Sequence, residues 1–187
     1  MNSLHKIDIH DKIDDLNRQY QTAKALIIQF HDGQVDGGGE NYLNHLMTVS
    51  QNVAKEADKH EHWGYTEEDI FYIRAEICGL LHDILEDTDC TEGILREHKI
   101  DEEIIEAVKT MTHRDGESYF DYIKRVSENP ISKIVKIADL ENNMDVRRLK
   151  KFGEYEKNRI QKYWAAWKYL KGELGEQKAL ELMIKQK

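Results

Sequence analysis

Apolar residues recur at helical spacing along almost the whole of this chain, and one proline, Pro130, is all there is to interrupt them. Between about 16 and 30, Ala23, Leu26, Ile27 and Phe30 share one helical face. Gly37, Gly38 and Gly39 then break the pattern, since three glycines in a row make a poor helix interior. A second helix, from about 42 to 60, places Leu46, Val49 and Val53 on one side. The third opens at Thr66, with Asp69 completing a capping box and Glu67 and Glu68 suited to the positive end of the dipole. Ile70, Ile73, Ile77, Leu80 or Leu81, and Ile84 carry it through to Leu85. Shorter helices are expected around 91–97, at Glu102–Thr112 and at Tyr119–Glu128, the last stopped by Asn129-Pro130. Two more cover 131–150 and 154–184. The second of these carries an aromatic stripe, Ile160, Tyr163, Trp164, Trp167 and Leu170, which we read as core packing.

The expectation is an all-α, compact multi-helix fold. It forms one domain over 1–187, with a core at about 20–150 and the C-terminal helix packed on it. The exposed side of that helix offers a surface for a homodimer. A net charge of -9 argues against a nucleic-acid partner, which calls for a basic surface. It argues less against a small anionic substrate, because a bound metal reverses the local field. Cys78 and Cys90 form neither a disulfide framework nor a CxxC metal site. Cys78 reads as a small buried apolar residue, and a reducing, cytoplasmic setting follows. The first twenty or so residues lack the apolar core of a signal peptide, and no segment approaches the ~18 apolar residues of a membrane span.

Chemistry concentrates in "LLHDILEDTD", residues 80–89. His82, Asp83, Glu86 and Asp87 stand among Leu80, Leu81, Ile84 and Leu85, and burying charge without a partner is costly. His82 and Glu86 are four apart, as are Asp83 and Asp87, so each pair shares a helical face. His82 and Asp83 can offer one nitrogen and one oxygen to a divalent metal, provided other elements complete the shell. Glu86 and Asp87, one turn on, would sit beside such a metal and suit water activation and proton transfer. Without further partners the segment would be an acidic helix end. Two other stretches answer it: "ENYLNHLMTV" supplies His45, and "SKIVKIADLENNMD" supplies Asp139 at the edge of an apolar face formed by Ile134, Ile137 and Ala138.

The ordered set His45, His82-Asp83, Asp139 resembles the H…HD…D pattern of the HD-domain metal-dependent phosphohydrolases, which are all-helical. "GLLHDILEDTDCT", "FHDGQ…GGENYLNH" and "VKIADLENN" are similar to the blocks of RelA/SpoT-type hydrolase domains. "MTHRDGESYFDYIKRV" resembles a segment of that group's small stand-alone members. The likeness runs over roughly 20–145. It implies His45, His82, Asp83 and Asp139 as ligands of a divalent metal, manganese first, with iron, zinc or magnesium possible. Glu86 and Asp87 would activate or position water, Asn143 would contact the nucleotide, and Tyr42 would lie at the site's edge. Lys136 and Arg114 are candidates for the phosphates.

The reaction implied is removal of the 3′-pyrophosphate of guanosine tetra- or pentaphosphate. Alternatives are a nucleotidase or pyrophosphatase of the same superfamily with another substrate, or a helical module that senses a nucleotide without cleaving it. Two departures stand out. Leu46 replaces the family's usual proline, and Asp36, followed by Gly37, stands where the long enzymes carry a basic residue that helps hold guanine. Trp63 is expected either to cover a pocket mouth or to close a helix corner.

Overall fold

In a computed structural model, residues 8–57 and 65–184 are described. Trp63 lies outside them. The elements run α1 (Ile9–Phe30), α2 (Leu43–Ala57), α3 (Glu67–Leu81), α4 (Ile84–Asp87), α5 (Glu92–Glu97) and α6 (Glu102–Met111). After these come α7 (Tyr119–Glu128), α8 (Pro130–Asn143), a 3-10 turn (Val146–Arg148), α9 (Glu154–Leu170) and α10 (Glu176–Ile184). The fold is all-α, and no strand occurs among the described residues. The glycine loop carries an isolated antiparallel bridge between Val35 and Asn41. None of the described helices is long and apolar enough to cross a membrane.

α3 is the central helix, and α1, α2, α6 and α8 pack around it. Its start follows the capping logic: the Thr66 hydroxyl accepts from the Asp69 N–H, and the Asp69 carboxylate accepts from the Thr66 N–H at 2.7 Å. Ile77, Cys78, Leu80 and Leu81 are fully buried, each large aliphatic side chain contributing ~1.5–3 kcal/mol. α2 and α3 meet so closely that a Cβ on Gly79 would lie 3.0 Å from the Ser50 Cα. A methyl group there would force Ser50 to give way by a few tenths of an ångström. α8 begins with Pro130 in its first turn, where the Asn129 side chain accepts from the Ser132 N–H at 3.0 Å.

Several boundaries differ from those read in the sequence: α1 starts at Ile9 and not near 16, and α8 ends at Asn143, short of 150. α3 ends at Leu81, not Leu85, and a new turn of helix starts after Asp83. The His82 Nδ1–H donates to the Gly79 carbonyl at 2.8 Å. That carbonyl is the acceptor which a continuing helix would offer to the Asp83 N–H. The expected helix over 154–184 is two helices. Gly172, at φ 73°, closes α9: its N–H bonds the Tyr169 carbonyl at 2.9 Å, and the Glu173 N–H bonds the Lys168 carbonyl at 2.9 Å. The aromatic stripe also divides. Leu170 is buried with Ala165 and Ala166, but Trp164 is 44% exposed, and Trp167 turns its indole N–H to Glu141 at 2.9 Å. α9 and α10 form a second apolar cluster with α7 and the end of α8, centred on Phe120, Ile123, Leu140 and Met183.

Candidate metal centre

Three elements of the main core bring four ionisable groups to one point. His45 sits in the first turn of α2, His82 and Asp83 in the break after α3, and Asp139 on the inward face of α8. His45, His82 and Asp139 are all buried, and each offers a ligand atom within 4.8 Å of the others. Asp83 joins them. Its Oδ2 is 2.9 Å from His82 Nε2 and 3.6 Å from His45 Nε2, while Asp139 Oδ1 lies 3.3 Å from His45 Nε2 and 3.7 Å from His82 Nε2.

Both imidazoles are held by their other nitrogen. His82 is anchored by the Gly79 carbonyl, and the His45 Nδ1–H donates to Asn142 Oδ1 at 2.7 Å. Each Nε2 therefore faces the two carboxylates. His82 Nε2 is fully buried and makes no hydrogen bond, although both carboxylates lie within ion-pair distance of it. An unsatisfied buried nitrogen beside two carboxylates and a second imidazole fits a divalent cation of borderline-to-hard character. His45, His82 and Asp139 form a candidate metal-binding triad, and Asp83 lies against it.

The charges are mutually arranged. Burial works against a proton on His45, but Asp139 and Asp83 outweigh it and raise its pKa to about 9. His82 is raised to about 10 against the same cost, by Asp83 and Asp139. Burial likewise opposes ionisation of Asp139, yet Lys136 and the two histidines hold its pKa well below the ordinary carboxylate value. Lys136 Nζ is 2.7 Å from Asp139 Oδ2, and the Asn143 amide donates to Asp139 Oδ1 at 2.6 Å. Tyr42 donates its hydroxyl to Asp83 Oδ2 at 2.6 Å.

Glu86 and Asp87 flank the centre. The Glu86 carboxylate accepts from the His113 N–H at 2.8 Å and lines a cavity of about 220 Å³ together with Asp83, Asp139 and Lys136. Asp87 lies 3.4 Å from the Tyr42 hydroxyl, and its pKa is raised by burial and by the charges of Asp83 and Glu86. A second cavity, of about 230 Å³, opens beside His45 and is lined by Tyr42, Gly38, Arg148 and Arg159. Asn143 borders both cavities. Arg114 is set apart: it lines a separate cleft with Leu85, Lys109 and Thr112, and its N–H bonds Glu117 at 3.2 Å.

Several groups at the site are not assigned to it by the sequence reading, which places Tyr163 in a core stripe. Tyr119 and Tyr163 line the first cavity, and the Tyr119 hydroxyl is buried without a partner. Lys162 lies over the Tyr119 ring at 4.4 Å, and its pKa is lowered by burial and by the charges of Arg159 and Lys136. Arg159 Nε is buried without a partner. These residues belong to α7 and α9; Tyr119 stands in the "MTHRDGESYFDYIKRV" block, but Lys162, Tyr163 and Arg159 reach the site only when the second cluster folds against α8.

No protein-family model matches the chain, and no curated protein matches it. Among solved structures, the chain resembles that of a metazoan ortholog of SpoT, described as hydrolysing ppGpp and playing a role in starvation responses. The TM-score is 0.62 at 19% identity, over 88% of this chain and 93% of that one. The two share a fold, which makes this chain a distant structural relative of a SpoT-type hydrolase.

Proposed function

We propose that this protein is a metal-dependent phosphohydrolase of the HD type, and that it removes the 3′-pyrophosphate of guanosine tetra- or pentaphosphate. The observation that carries the reading is the convergence of His45, His82, Asp83 and Asp139 around the unsatisfied His82 Nε2. These four side chains would hold the ion, with manganese the first choice and iron, zinc or magnesium suited to the same donors. When bound, the ion supplies a Lewis acid for a phosphoryl oxygen and lowers the pKa of water.

The protein's own groups supply the rest. Glu86, held by the His113 N–H on the wall of the first cavity, takes the proton from the attacking water. Asp87, whose carboxyl is pushed above the ordinary carboxylate value by burial and by the charges of Asp83 and Glu86, orients water through Tyr42. Lys136, Lys162 and Arg159 form a cationic arc in a chain of net charge -9, and that arc suits a pyrophosphate. Asn143, shared by both cavities, bridges phosphate and nucleoside.

Purified protein with Mn²⁺, tested against a nucleotide panel, decides the matter. Pyrophosphate released from guanosine tetraphosphate supports the reading, and inorganic phosphate from monophosphates alone refutes it. One observation favours the alternative of another nucleotide substrate. Asp36 stands in place of the basic residue expected beside guanine, and its carboxylate is already bonded to Arg148, Gly38 and Glu40.

A further inference from the structure

The two histidines of the centre are oriented by different means. His82 donates to a main-chain carbonyl, which cannot be anything but an acceptor. His45 donates to the side chain of Asn142, and an amide can turn over and present its NH₂ instead. Something must hold that amide in place, and Arg148 is positioned to do so. Its guanidinium donates to both the Asn142 carbonyl, at 3.0 Å, and the Asn142 Oδ1.

Arginine carries donors only. The Asn142 atom that faces it must therefore be oxygen, because the flipped amide would set NH₂ against guanidinium. An oxygen at that point can only accept from His45, so the His45 proton sits on Nδ1. In the neutral ring that binds a cation, Nε2, the nitrogen 3.3 Å from Asp139 and 3.6 Å from Asp83, then carries the lone pair toward the centre.

Arg148 is itself fixed by Asp36. The two form an ion pair at 2.7 Å, and the Asp36 side chain is only 9% exposed. The other Asp36 oxygen accepts from the Gly38 N–H at 2.8 Å and the Glu40 N–H at 3.0 Å, which folds the glycine loop around it. A Cβ on Gly38 would lie 2.5 Å from the Arg148 carbonyl, so loop and turn meet backbone to backbone.

We infer that Asp36 and Arg148 are positioning residues for the metal centre, acting through Asn142 to hold His45 in the tautomer whose Nε2 faces Asp83 and Asp139. This rests on the reading of those groups as metal ligands. It also gives Asp36 a task other than contact with a base: the acid that replaces a basic residue in the loop anchors the arginine that sets a ligand.

A double-mutant cycle on the full chain tests it, with Mn²⁺ affinity measured by competition with a chromophoric chelator. The variants are Arg148→Met, Asn142→Asp and the pair. A carboxylate at position 142 has no donor face, so His45 keeps its tautomer whether or not Arg148 is present. Arg148→Met should weaken Mn²⁺ binding by about 10- to 100-fold when Asn142 is present, and by less than about 3-fold in the Asn142→Asp background. Asp36→Asn, which leaves the arginine in place, should show a smaller loss with the same dependence on residue 142. It serves also if Arg148→Met fails to fold. Equal losses in both backgrounds would mean that the ion pair only braces the loop, and the inference falls. If the unaltered protein takes up no Mn²⁺, Zn²⁺ or Fe²⁺, the reading of the metal centre fails first and takes this one with it.

Discussion

Raising the pH should tighten metal binding steeply, and the size of the effect can be worked from the four groups at the centre. Without metal, His45 and His82 hold protons up to about pH 9 and about pH 10. Both values are raised, so at pH 7 both rings are charged, and each proton must leave before its Nε2 can bind a cation. Displacing them at pH 7 works against both raised values, so metal binding carries a proton cost that falls as the pH rises. Two protons should therefore be released per ion, and the apparent affinity should climb about 100-fold per pH unit between about pH 6 and pH 8. Calorimetric titration with Mn²⁺ in buffers of different ionisation enthalpy counts the protons directly. Asp83→Asn supplies a control in the metal-free protein: it removes the largest charge holding the His82 proton, so the His82 ring, followed by NMR, should lose that proton at lower pH. Release of no protons, with an affinity flat across this range, would show that the carboxylates do not charge the histidines and would refute the electrostatic argument.

Asp83→Ala should abolish metal uptake and hydrolysis together; unchanged metal content and turnover would remove Asp83 from the centre. Glu86→Gln should leave Mn²⁺ affinity within a few-fold while lowering kcat by about 10²- to 10⁴-fold, read from parallel binding and rate measurements. Lys136→Met strips the Asp139 carboxylate of its cation at 2.7 Å, and should destabilise the metal-free protein by about 3–5 kcal/mol in urea unfolding. Saturating Mn²⁺ should recover more stability in that variant than in the unaltered chain. Gly79→Ala should cost about 1–3 kcal/mol, because its methyl group would meet Ser50, and should weaken metal binding as well.

Much of the helical plan can be read locally, because each helix carries its own signals. Thr66 and Asp69 start α3, Asn129 and Pro130 start α8, and apolar spacing marks the buried face of α2. The break at His82 is not visible in that way. Periodicity runs on to Leu85, and what ends α3 is a side chain bonding a carbonyl of its own helix. Gly172 did carry a stop signal, but the apolar pattern on either side hides it. At the site, His45, His82, Asp83 and Asp139 can be picked out by motif order, since each sits in a recognisable block. Asn142, Arg148, Lys162 and Arg159 cannot. Their significance depends on α8, the 3-10 turn and α9 lying against one another, and residues as far apart as Asp36 and Arg148 meet only in the folded chain.

Gly79 links packing and chemistry in a single residue. Its missing side chain lets α2 and α3 touch, and its carbonyl holds the His82 ring. The spacing of the two histidine-bearing helices is thereby set by a hard mechanical stop, main chain against main chain, and not by the filling of a cavity with side chains. The centre can thus keep its gauge while the surrounding apolar residues drift over evolutionary time, provided position 79 stays bare.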